Sequence, residues 1–147
     1  MSILVRVRIA VLERTIASGQ VPTADEIAAE LEMPVAMVQE AYARLGESHV
    51  FVGEPGDPSR LRMANPFSAV PTAFKVSARG GLYYGNCVWD ALGIVALLGG
   101  EGVVETSCPD CSEPLQLSVS DGKLVESEGV VHFGVPARHW WDDIVFT

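Results

Sequence analysis

Leu82-Tyr-Tyr-Gly-Asn-Cys87-Val-Trp-Asp90-Ala-Leu-Gly-Ile94-Val-Ala-Leu-Leu98 is the stretch on which the reading of this chain turns. From Val88 to Leu98 it is apolar apart from Asp90, and Gly99-Gly100 closes it, which predicts a helix with a clear stop. Downstream, Val103–Ser107, Leu115–Val119 and Val130–Val135 read as strands, with turns at Pro109–Cys111 and Asp121-Gly122. The second half is therefore expected to be a small, mostly antiparallel sheet packed on the Val88–Leu98 helix. Upstream, Asn65–Val76 reads as an extended connector, because Pro66 and Pro71 disfavour helix in the residues before them.

The N-terminal part has a different character. Ile3–Ala17 carries Ile3, Val7, Val11 and Ile16 near helical spacing, with Arg6, Arg8, Glu13 and Arg14 on other faces, and Gly19 stops it. Thr23-Ala-Asp-Glu26 has the form of a capping box opening a short helix to about Leu31. Pro34 can open a third helix, with Val35, Val38, Ala41, Tyr42 and Leu45 on one side and Gly46 at its end. Two β-like runs, His49–Val52 and Arg60–Met63, flank a Gly- and Pro-rich turn and predict a hairpin. Three helices and a hairpin make a winged helix-turn-helix-like unit. The expected organisation is α+β: a winged-helix-like region over 1–64, a connector over 65–81 and an α+β domain over 82–147.

Composition limits what such a chain can bind. It has 147 residues, 48% hydrophobic and 20% charged, and a formal charge of −9. Residues 1–75 hold 7 basic and 9 acidic side chains, and the remainder hold 3 and 10. Affinity for phosphate backbones comes mainly from Lys and Arg, so nucleic acid is disfavoured as a partner. The third helix offers only Arg44 against Glu40 and Glu47. A structural or substrate-covering role is preferred for the N-terminal unit. Arg6 and Arg8 interrupt the first ten residues where a signal peptide needs an unbroken apolar core. The longest apolar stretch, Ala91–Leu98, is well short of the ~20 residues that cross a bilayer. A cytoplasmic protein with reduced thiols, and no membrane partner, is the expectation.

Three cysteines carry the chemistry. Cys87 and Asp90 stand three apart at a helix start, which puts thiol and carboxyl on one face. A helix N-terminus favours thiolate, while burial among Trp89, Leu92 and Ile94 would let the carboxyl keep a proton near neutrality. By spacing alone, a small buried thiol and a dipole-favoured acid remain the plainer account. Cys108-Pro-Asp-Cys111 is a second thiol pair, half of a tetrahedral zinc site in form. Of the imidazoles His49, His132 and His139, none has zinc-finger spacing. Two sulfurs suffice for a soft ion that accepts near-linear coordination, Hg(II) or Cu(I). Trp140 and Trp141 with Asp142 and Asp143 could line a pocket, although core packing by one indole is preferred. Phosphate-loop, Rossmann, HExxH and GxSxG patterns are absent.

On the stretch Leu82–Ile94, with Thr106-Ser-Cys108 and Glu113–Val119 after it, the sequence resembles the organomercurial (alkylmercury) lyases. The resemblance implies protonolysis of a carbon–mercury bond. Cys87 would be the capturing thiolate, Asp90 the proton donor to the leaving carbon, and Hg(II) and a hydrocarbon the products. It implies no organic cofactor, an organomercurial as substrate, and cytosolic thiols or a mercuric reductase as acceptor of the metal. The family's second active-site cysteine has no match here, for the sequence runs Ile144-Val-Phe146-Thr147 and ends as though one residue short of it. Cys108 and Cys111 are candidate replacements and, with Cys87, candidate metal ligands, zinc at the CxxC pair included. The alternative is a non-catalytic soft-metal binder (Hg, Cu or Zn) or a metal-responsive winged-helix regulator.

Overall fold

The computed structural model describes residues 1–125 and 129–145. Helix α1 (Ile3–Ser18) is capped by the Ser2 hydroxyl, which accepts from Val5 N at 3.4 Å, and is closed by Gly19 in the left-handed region at φ 75°. Helix α2 (Ala24–Glu30) carries the expected capping box. Thr23 Oγ1 accepts from Glu26 N at 3.4 Å, and the Glu26 carboxylate accepts from Thr23 N at 2.8 Å. Helix α3 (Val35–Glu47) buries Val38, Ala41, Tyr42 and Leu45, the side the apolar spacing marks. Pro34 stands at its cap, one position before the helix it was expected to open.

Strands β1 (Phe51–Glu54) and β2 (Asp57–Ala64) form the hairpin. His49, expected in the first strand, instead sits at φ 59° beyond the end of α3. The register jumps from Gly53↔Leu61 to Glu54↔Asp57, so residues 58–60 lie outside the ladder and the missing N–H of Pro58 breaks no bond there. The supposed connector is not bare. It carries β3 (Phe67–Ser68), which extends the first sheet beside β2, and β4 (Lys75–Ala78). Strand β4 pairs with β5 (Gly81–Tyr84) on one side and β6 (Gly102–Ser107) on the other, in a five-stranded antiparallel sheet of order β5-β4-β6-β7-β8. Strands β7 (Pro114–Ser120) and β8 (Lys123–Val125) turn at Asp121-Gly122. Val130–Val135, expected as a strand, is irregular, and Val130 is 93% exposed. Residues 130–132 are exposed, so pairing them as a strand would bury little apolar surface. A 3-10 helix, Ala137–Asp142, follows, and Phe146 and Thr147 lie outside the described residues.

Two apolar cores result. One joins α1, α2 and α3 to the hairpin through Val7, Val11, Ile27, Val38 and Phe51. The other places helix α4 (Val88–Leu97) on the second sheet through Ala91, Ile94 and Val95 against Val76, Tyr83 and Val104. Leu12 and Ile16 of α1 also pack on this second core, and Tyr83 Oη donates to Ile16 O at 2.8 Å. Helix α1 thus packs on both cores.

Gly85 sets how closely that start approaches the sheet. A Cβ there would lie 2.6 Å from Ala91 N and 2.8 Å from its Cα, both backbone atoms that cannot turn aside. Gly85→Ala is expected to destabilise the fold by about 1–3 kcal/mol, the usual penalty of overpacking. A lowered urea midpoint together with faster alkylation of Cys87 is the expected result, and an unchanged midpoint would contradict this close approach.

Candidate active site

Cys87 is the N-cap of α4, extended at φ −146° and ψ 179°, and its Sγ accepts from Asp90 N at 3.5 Å. Asp90 lies one turn on, and its side chain lines the same cleft as the Cys87 thiol. The structure therefore brings together the two groups singled out by the spacing. Both are half-buried. They open into a cleft of about 220 Å³ assembled from three parts of the chain. Met63 and Asn65 come from the end of β2 and the residue after it. Asn86, Cys87, Trp89 and Asp90 come from the start of α4. Phe133, Trp140, Trp141, Ile144 and Val145 come from the C-terminal stretch.

Burial pushes the Asp90 carboxyl above the usual carboxylate range, against the lowering pull of Asn86 and the Cys87 thiol. The expected acidification of Cys87 does not hold. The Asp90 and Trp89 backbone N–H groups do favour its thiolate, but burial and the adjacent Asp90 charge outweigh them and hold the thiol above its ordinary value. Burial thus raises both groups, the thiol and the carboxyl, where they stand together at the start of α4.

The aromatic wall departs from the expectation of an indole in the core. Trp140 and Trp141 are both half-buried and both face the cleft. Trp140 Nε1 donates to Val135 O at 2.8 Å, and its ring lies 5.0 Å from that of Phe133. Trp141 stacks on His49, 4.0 Å between centroids and 5° from parallel. Asn86 escaped the sequence reading. Its Nδ2 reaches Asn65 Oδ1 at 3.3 Å and Pro66 O at 3.4 Å, tying the α4 start to the end of β2. The Asn-Cys dipeptide carried no signal for this, because the partner is fixed only by the tertiary fold.

Cys108 and Cys111 occupy the turn between β6 and β7 and are not among the residues lining the cleft. Among the described residues, no group of three or more His, Cys, Asp or Glu gathers as a metal site. His49 is stacked on Trp141, and His139 Nδ1 lies 2.8 Å from Asp142 Oδ2, so neither completes a tetrahedron at the CxxC turn. A wider, open depression of about 540 Å³, lined by Ser77–Leu82, Glu101 and Gly102, lies at the far end of β4 and β5 and contains no thiol or imidazole.

A family model described as alkylmercury lyase (MerB) matches residues 67–147, which include the α4 start, the CxxC turn and the aromatic stretch. The solved structure of the mercury-bound form of MerB2 matches with a TM-score of 0.63 and 20% sequence identity, over 82% of this chain and 58% of that one. The chain thus spans less than two thirds of the length of that protein, and the likeness is one of fold. No curated protein sequence matches.

Proposed function

The chain belongs to the alkylmercury lyase family, and from that premise we propose that it cleaves carbon–mercury bonds, with Cys87 capturing the organomercurial and Asp90 protonating the leaving carbon. The observation that carries this reading is a thiol and a carboxyl one helical turn apart at the start of α4, both lining one aromatic-walled cleft.

The steps balance with these two side chains. As a sulfur–mercury bond forms at Cys87, the thiol proton passes to the Asp90 carboxylate and the ligand previously on mercury leaves. Burial then makes Asp90 a carboxylic acid of suitable strength to deliver that proton. The carbon–mercury bond breaks, carbon takes the proton, and the hydrocarbon departs. Mercury remains as Hg(II), bound to Cys87 sulfur and facing the regenerated carboxylate. Neither carbon nor sulfur needs an external electron source in this sequence. Cytosolic thiols or a mercuric reductase would then draw off the Hg(II), because a single protein sulfur is readily exchanged.

Trp89, Phe133, Trp140 and Trp141 suit an apolar organic group on mercury. Met63 and Asn65 give the N-terminal unit a share in the wall, consistent with a substrate-covering role for it. The test is to incubate the protein with phenylmercury or methylmercury and excess small thiol, and to measure released benzene or methane. Release well above the thiol blank is expected. Release at the blank level would overturn the reading.

A further inference from the structure

The CxxC turn is not absorbed by this chemistry, and its placement gives it a use. Strands β5 and β6 both pair antiparallel with β4, so they run the same way, and Tyr84 and Glu105 face the same residue, Lys75. Cys87 follows Tyr84 by three residues, and Cys108 follows Glu105 by three. Both segments therefore leave the same end of the sheet, on strands two spacings, or roughly 10 Å, apart. The turn is a formed one. Ser112 N donates to Cys108 O at 2.8 Å, Cys108 N donates to Glu113 O at 2.9 Å, and Ser112 takes the left-handed conformation at φ 60°. This closure folds Cys111 back on Cys108, and the backbone N–H groups of Cys111 and Asp110 hold the Cys108 thiol below its ordinary value.

We propose that Cys108 and Cys111 form a dithiol site for one two-coordinate soft cation, Hg(II) foremost, at the mouth end of the sheet that carries the cleft. Two sulfurs at a hairpin tip match near-linear coordination, and soft thiolates select soft metals over zinc where no further donors converge. Binding forms two sulfur–mercury bonds and breaks two S–H bonds. The two protons go to solvent, or to the small thiols displaced when mercury arrives as a bis-thiolate complex, and mercury stays Hg(II). That the ion comes from the cleft rests on the lyase reading, whereas the site's affinity does not. As receiver, the pair would hold mercury by two bonds where Cys87 offers one.

The experiment uses inorganic Hg(II), so failure of the lyase chemistry cannot mask the result. Full-length Cys87→Ala protein is equilibrated with one equivalent of Hg(II) and excess monothiol, then examined by native mass spectrometry and thiolate-to-mercury ultraviolet absorption. One retained Hg(II) per chain is expected. Cys111 is exposed, so Cys111→Ser in the same background keeps the fold, and its melting curve verifies this. That variant should need at least about 10²-fold less competing thiol to lose its mercury, the scale of a lost second attachment. No mercury retained by Cys87→Ala, equal retention after Cys111→Ser, or displacement of mercury by equimolar zinc would each overturn the site.

Discussion

Asp90→Asn is expected to capture organomercurial on Cys87 more slowly, the thiol proton going to solvent in place of the carboxylate, and then to stall. An amide cannot supply the proton that carbon needs, and general acids of this kind typically contribute about 10²–10⁴-fold to rate. Hydrocarbon release should fall by that factor, while intact mass shows the organomercury adduct persisting on Cys87. The wild-type pH profile should be bell-shaped. On the acid side, activity is lost as Asp90 protonates, at a pH above the usual carboxylate range because burial raises it. On the alkaline side, it is lost as the pair gives up its last proton, at a pH above the usual thiol range because burial raises Cys87 as well. The same substitution should stabilise the fold. A carboxyl whose folded value lies above its unfolded value contributes stability below the unfolded value and loses it as pH rises through the folded one. Near neutrality the ionised Asp90 is thus a net burden, which Asn removes. The melting temperature of Asp90→Asn above neutral pH should therefore rise relative to wild type. Unchanged turnover in Asp90→Asn would remove Asp90 from the chemistry. A lowered melting temperature would contradict its buried, strained charge.

The features that were legible in the sequence are those that local chemistry decides. The Thr23–Glu26 box, the Gly19 stop and the Cys87–Asp90 spacing each depend on residues within one turn of one another, and each stands as expected. Strands β3 and β4 were not legible. They are two and four residues long, they lie among prolines, and only their neighbours β2, β5 and β6 make them strands. Val130–Val135 shows the converse, an apolar run whose residues instead lead to the aromatic wall. The acidity of Cys87 was misread for the same reason. The backbone N–H groups that favour the thiolate are local and visible, but the burial that opposes them is set by the tertiary fold. The acidified thiol is Cys108 instead, held below its ordinary value by the backbone N–H groups of Cys111 and Asp110. The cleft wall was the least legible part, since Trp141 is fixed by His49, a residue from the other end of the chain.

Cys87→Ser is expected to reduce hydrocarbon release to the thiol blank, a loss of about 10⁴-fold or more on the scale of deleted nucleophiles. A serine hydroxyl is a hard donor that stays protonated, so it neither holds mercury nor hands a proton to Asp90. Loss of fold will not account for the result. Cys87 serves as the N-cap of α4 through a long 3.5 Å contact from Asp90 N. Serine is among the best residues for that position, so the melting temperature should hold or rise. Asp90 remains in place with its burial intact, which makes the variant a test of capture alone. Cys108 and Cys111 also remain, and they sharpen what can be read from it. A Cys87→Ser protein that gains an organomercury adduct yet releases no hydrocarbon would assign capture without cleavage to the CxxC turn, and cleavage to the Cys87–Asp90 pair. A Cys87→Ser protein that still turns over would move the chemistry to the turn itself, away from the only cysteine among the described residues that line the cleft.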